Sequence, residues 1–148
     1  MKVPFINLNS RYQQYRKAFH QVLDEVIDSS QFILGENLSR FEDNLSEYIG
    51  TKYSVGVGNG TDALILGLKS LGVGQGDEVI TTPMSYLAST SAIYLAGAEA
   101  KFVDIGDDLN IDPIKVEYAI SNKTKAILVV HLAGIPAKME RIKSIADA

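Results

Sequence analysis

The 148-residue chain contains no cysteine. Disulfide bridges, zinc–thiolate centres and thiol catalysis are excluded together. Its two histidines, His20 and His131, are far apart in the sequence. A metal site would have to rest on carboxylates, and no close cluster of them suggests one. Long apolar runs are missing too: the longest are about five residues, against the roughly twenty that a membrane-spanning helix needs. Nor is there an excess of positive charge. The net charge is −4, with acids and bases interspersed, so nothing resembles the basic face of a nucleic-acid binder. The N-terminal stretch MKVPFINLNSRYQQ has one lysine and a short apolar run broken by Pro4 and Asn7. It is too polar for a signal peptide. These absences together lead us to expect a soluble, cytoplasmic protein.

What is present is an ordinary globular composition, 46% hydrophobic and 22% charged, in a chain long enough to bury a core. The first fifty residues read as an arm and two amphipathic helices. Tyr15, Phe19, Val22, Leu23 and Val26 recur at three- and four-residue steps after Ser10, the expected N-cap. Leu38, Phe41, Leu45 and Tyr48 share one face of a second helix that ends at Gly50.

From residue 51 the pattern alternates. YSVGV, the run after GVGQG, KFVDI and KAILVV read as strands. TDALILGLKSL, SYLASTSAIYLAG, DPIKVEYAI and PAKMERIKSIADA read as helices, the third with Asp112 as N-cap and Pro113 in its first turn. This is the sequence form of an α/β fold with a mostly parallel sheet covered on both faces. In such sheets ligands collect at the carboxyl ends of the strands. The chain stops at Ala148 inside a helical pattern, so we expect it to be part of a longer protein.

One stretch, VGVGNGTDALILGL, leads glycines into a helix, which is how a chain presents bare amides to a phosphate. Gly58, Gly60 and Ala63 satisfy a dinucleotide fingerprint literally. The acidic residue that fingerprint needs at the end of the next strand is absent, because Asp77 and Glu78 precede that strand. A nucleoside triphosphate loop needs Gly-Lys followed by Ser or Thr, and the chain has Gly60-Thr61-Asp62. A single phosphate held by the amides of Gly60, Thr61 and Asp62 remains, with the Thr61 hydroxyl as a further donor. The Asp62 carboxylate should point away from it. The plainer alternative is a glycine turn that serves only tight packing. One unit later, Tyr86 in TTPMSYLAST reaches the same rim, where its ring could stack on a flat heteroaromatic cofactor or simply fill the core with a wet hydroxyl.

The segments VPFINLNSRYQQY, SSQFILGENLSRFEDNLSEYIG, SVGVGNGTDALILGLKSLGVGQGDEVITTPMSYLAST and AKFVDIGDDLNIDPIKVEYAISNKTKAILVVHLAGIPAKME occur in this order. Together they closely resemble the DegT/DnrJ/StrS family of pyridoxal-phosphate-dependent nucleotide-sugar aminotransferases. The resemblance implies the aspartate-aminotransferase fold (fold type I), with residues 1–148 forming the N-terminal portion of the large domain: an arm and helices over 1–50, then alternating units over 51–148. It implies pyridoxal 5′-phosphate, passing through the pyridoxamine form, and a homodimer with active sites at the subunit interface. The implied reaction moves an amino group, usually from glutamate, onto a keto group of a nucleotide-linked sugar destined for polysaccharide, O-antigen or antibiotic glycans.

By resemblance, NGTDAL is the phosphate cup, with Gly60, Thr61 and Asp62 as its donors, and Tyr86 is the ring that stacks on the pyridine. FILG, Phe32 to Gly35, matches a loop near the site mouth. His131 lies near the cofactor without a chemical role, and Asn59 stands where many relatives carry serine. The aspartate that pairs with the pyridine nitrogen and the Schiff-base lysine lie beyond Ala148 in this family. The ten lysines present all fall in helices, turns, the arm or before strands. The expectation is therefore no catalytic residue and no transaminase activity in these 148 residues alone. Two alternatives stay open: a sugar dehydratase on the same scaffold, where histidine replaces that lysine, and a truncated, non-catalytic module.

Overall fold

The computed structural model describes residues 3–148. The chain forms two compact units, divided between Gly56 and Val57.

The first unit holds two helices. α1 (Leu8–Ser29) begins earlier than the periodicity suggests, because the Asn7 side chain accepts the Ser10 N–H at 3.1 Å. Asn7 is therefore the N-cap, and Ser10 lies within the first turn. α2 (Glu36–Ile49) ends as expected at Gly50, whose φ of 78° suits glycine and whose N–H returns to the Ser46 carbonyl. The expected strand at Tyr53–Val57 is not formed: the segment has no ladder partner among the described residues. Within the unit, its polar groups turn to side chains of α2 instead. Glu42 Oε1 accepts the Gly56 N–H at 2.6 Å, and Ser46 Oγ donates to Ser54 Oγ at 3.1 Å.

The second unit is a three-layer α/β structure. Three parallel strands, β1 (Glu78–Thr81), β2 (Glu99–Phe102) and β3 (Thr124–Ile127), lie in the order β2-β1-β3. Four helices complete it: α3 (Gly60–Ser70), α4 (Leu87–Ala96), α5 (Pro113–Ala119) and α6 (Met139–Ala146). In β1, Val79 and Ile80 are both 0% exposed and point to opposite faces. Val79, with its ladder partners Ala100 and Ala126, packs under Leu68 of α3 and Ala92, Ile93 and Ala96 of α4. Ile80, beside Ile127, packs under Val116 of α5 and Ile142 and Ile145 of α6. The expected parallel sheet with helices on both faces is the observed architecture.

The strands are shorter than expected and shifted. β2 starts at Glu99, directly after the α4 helix closes at Gly97 (φ 99°) and Ala98. It ends before Val103, and Ile105 instead forms a bridge with Ile111. α5 is capped as read, with the Asp112 carboxylate accepting the Ile114 N–H at 2.9 Å. At the amino end of the sheet, Glu78 accepts from Ser121 Oγ at 2.8 Å and from Lys101 Nζ at 3.3 Å. The Ser121 hydroxyl first, and the Lys101 and Lys123 charges after it, hold the Glu78 carboxyl below the usual glutamate value against the opposing pull of desolvation. No helix among the described residues is long and apolar enough to cross a membrane.

Candidate functional site

Because the sheet is parallel, the carboxyl ends of β1 and β3 open onto one rim. The segment after β1 runs into α4, and the segment after β3 runs through Val130 and His131 into a short 3₁₀ turn, Leu132–Gly134. The amino end of α3 reaches the same rim. Between these three segments lies an open depression of about 600 Å³, bordered by Gly60, Thr61, Tyr86, Ser89, His131 and Ala133. That volume is within the roughly 300–1,000 Å³ usual for small-molecule sites.

At the first wall, Asn59 is the N-cap of α3. Its Oδ1 accepts the Asp62 N–H, and its Nδ2 donates to Asp62 Oδ2, both at 2.9 Å. Asp62 Oδ2 also covers Gly58, where a Cβ would come within 2.8 Å of it. Asp62 borders a separate, smaller recess with Val57, Gly58, Ile65 and Leu66. The carboxylate thus turns away from the main depression, as the sequence suggested. The Asp62 amide, the third expected phosphate donor, is already engaged by Asn59. Among the described residues, the Gly60 and Thr61 amides have no acceptor in the chain, and they sit where the partial positive charge of α3 is concentrated.

The second wall is Tyr86, at the N-cap of α4 and 82% exposed. Such a ring fills no core; its faces are free. Behind it, Ser85 and the buried Ser89 share a hydrogen bond of 2.7 Å between their hydroxyls.

The third wall is the turn after β3. His131 Nδ1 accepts the Ala137 N–H at 3.1 Å, so in this arrangement the neutral ring carries its proton on Nε2. That bond ties the ring to its own loop, in line with a structural histidine. Ala133 adopts a left-handed conformation (φ 52°, ψ 22°), which residues with a Cβ disfavour.

The structure therefore brings Gly60, Thr61, Tyr86 and His131 around one depression, with Asp62 beside it. The FILG segment lies in the other unit, between α1 and α2, with Leu34 at φ 52°. Ser89 and Ala133 were not anticipated: a serine and an alanine inside apolar stretches carry no local signal of a wall. Among the described residues, no group of three histidine, aspartate or glutamate side chains could hold a metal ion.

Residues 13–148 match the model of the DegT/DnrJ/EryC1/StrS aminotransferase family. The chain is 46% identical over 99% of its length to a pleiotropic regulatory protein of Geobacillus stearothermophilus, covering 40% of that protein. It is 41% identical over 97% of its length to the dTDP-3-amino-3,6-dideoxy-alpha-D-galactopyranose transaminase of Aneurinibacillus thermoaerophilus, again covering 40% of the relative. The crystal structure of NtdA from Bacillus subtilis with bound cofactor PMP superposes with a TM-score of 0.94 at 38% identity, over 99% of this chain and 34% of that one. The chain thus spans about 40% of the length of the curated relatives it matches.

Proposed function

This chain belongs to the DegT/DnrJ/EryC1/StrS aminotransferase family, and from that membership we propose that it forms the phosphate-holding part of a pyridoxal-phosphate-dependent aminotransferase acting on a nucleotide-linked keto sugar. The single observation that carries the reading is the convergence of two bare α3 amides and an exposed tyrosine ring on one depression of about 600 Å³. A phosphorylated, flat, heteroaromatic molecule has the same two chemical ends: a compact dianion and an aromatic face.

The residues present fit that cofactor. The Gly60 and Thr61 amides and the Thr61 hydroxyl bind the phosphate, aided by the α3 dipole. The Tyr86 ring covers a face of the pyridine, and the His131 turn borders its third side. When bound, the cofactor supplies an electron sink for the carbon that carries the amino group. Asn59 and Asp62 keep the phosphate turn in shape rather than meeting the phosphate. Glutamate as amino donor, a homodimer, a cytoplasmic location and a product used in polysaccharide or other glycan assembly belong to the same proposal, carried by family membership.

The test is a titration of the isotopically labelled chain. Pyridoxal phosphate and inorganic phosphate should both shift the Gly60 and Thr61 amides. Only pyridoxal phosphate should also shift the Tyr86 ring signals. Absence of both responses overturns the site. For the full-length protein, the expected outcome is 2-oxoglutarate release when glutamate meets a nucleotide-linked keto sugar, and sugar deoxygenation without it overturns the aminotransferase reading.

A further inference from the structure

The turn that forms the third wall closes partly on itself. The Gly134 N–H returns to the His131 carbonyl at 3.1 Å, and the Ile135 N–H to the Leu132 carbonyl at 3.0 Å. Two polar groups remain at its ends, the Leu132 N–H and the Ile135 carbonyl. Both go to a single side chain from elsewhere in the sequence. Asn110 Oδ1 accepts the Leu132 N–H at 3.2 Å, and Asn110 Nδ2 donates to the Ile135 carbonyl at 3.3 Å.

Asn110 is 1% exposed and does not line the depression. It is itself held firmly. Its N–H donates to Asp108 Oδ1 at 3.2 Å, its carbonyl accepts the Gly106 N–H at 2.9 Å, and the Ile105–Ile111 bridge flanks it. A buried carboxamide is costly unless its groups are paired. Here the pairing spans both ends of a turn that contains left-handed Ala133. No apolar side chain of that size could satisfy either end, and an aspartate would set an acceptor against the Ile135 carbonyl.

We propose that Asn110 is the positioning residue of the site: its carboxamide clamps the Leu132–Ile135 turn and so holds His131 and Ala133 as the third wall of the depression. The clamp itself is independent of any ligand; its consequence for binding rests on the cofactor reading given above.

The experiment compares Asn110→Ala with Thr81→Val. The latter removes another buried bond, from Thr81 Oγ1 to the Leu128 carbonyl at 3.0 Å, outside the turn. It therefore controls for a general loss of stability. In the ligand-free chain, Leu132 amide exchange should be about tenfold faster in Asn110→Ala than in Thr81→Val, the loss expected for a buried bond of this kind. Pyridoxal phosphate affinity should fall about five- to tenfold in Asn110→Ala relative to Thr81→Val.

Equal Leu132 exchange in the two variants overturns the clamp. Faster exchange with unchanged cofactor affinity overturns the positioning role. If the unaltered chain binds no pyridoxal phosphate, the cofactor reading falls, and the exchange comparison still decides whether Asn110 holds the turn. Should Asn110→Ala fail to fold, Asn110→Ser serves the same comparison, because its hydroxyl is too short to span both groups.

Discussion

Asn59 and Asp62 hold each other by two reciprocal hydrogen bonds of 2.9 Å, one from the Asp62 amide and one to the Asp62 carboxylate. The exchange starts α3 and sets the glycine turn that precedes it. Asn59→Ala should therefore cost about 1 kcal/mol of stability, the usual value of an N-cap. Urea unfolding followed by circular dichroism measures it, and faster exchange of the Asp62 amide would accompany it. Asn59→Ser, which keeps an acceptor, should be close to neutral.

Tyr86 is a different kind of residue, since its ring is largely exposed and caps nothing with its side chain. Tyr86→Ala should leave thermal stability within about 0.5 kcal/mol of the unaltered chain, as surface changes do. Pyridoxal phosphate affinity should fall with the loss of the ring, while affinity for inorganic phosphate should not. Tyr86→Phe should retain binding, because stacking uses the face and not the hydroxyl. Equilibrium dialysis with each ligand separates these outcomes.

Ile80 sits at the centre of the sheet with 0% exposure, packed under α5 and α6. Ile80→Ala should cost about 2–5 kcal/mol through lost burial and the cavity left behind. Chemical denaturation gives the value, and a loss below about 1 kcal/mol would mean that the α5/α6 layer collapses onto the gap.

Glu78 predicts a pH response. Ser121, with Lys101 and Lys123, lowers its pKa below the ordinary glutamate value near 4.5. A lowered carboxyl is more readily ionised in the folded chain than in the unfolded one. Its contribution is complete above about pH 4.5 and is lost as the pH falls through the lower folded value. Ser121→Ala should shrink the acid-side loss of stability while leaving the shape of the profile near neutrality unchanged. Thermal melts between about pH 2 and pH 7 read this directly, since about two units on either side of a carboxyl midpoint cover its titration.

Much of this arrangement was legible in the sequence, for identifiable reasons. Helices declared themselves through local chemistry: Gly50 and Gly97 end theirs with positive φ, and Asp112-Pro113 opens another. The alternating pattern gave the parallel, doubly covered sheet. Strand limits were less readable, because a ladder depends on a neighbour that local sequence does not name. Tyr53–Val57 has the residues of a strand and no partner among the described residues, and Ile105 turns to Ile111 instead of extending β2. In the site, Gly60, Thr61 and Tyr86 carried visible signals. The engagement of the Asp62 amide was legible only in part: Asn59 suits an N-cap, but which amide its side chain takes depends on its rotamer. Asn110 was hidden more deeply, because its two partners are more than twenty residues away.

The order β2-β1-β3 also has a consequence in time. The central strand is made first, and both of its neighbours come later in the chain. The Thr81 hydroxyl must wait for a carbonyl at Leu128, 47 residues further on. At a synthesis rate of about 5–20 residues per second, that interval is about 2–9 seconds. Throughout it, Ile80 lacks Ile127 of β3 and Ile142 and Ile145 of α6, which later cover it. This is the period in which the newborn chain most needs protection from pairing with its neighbours.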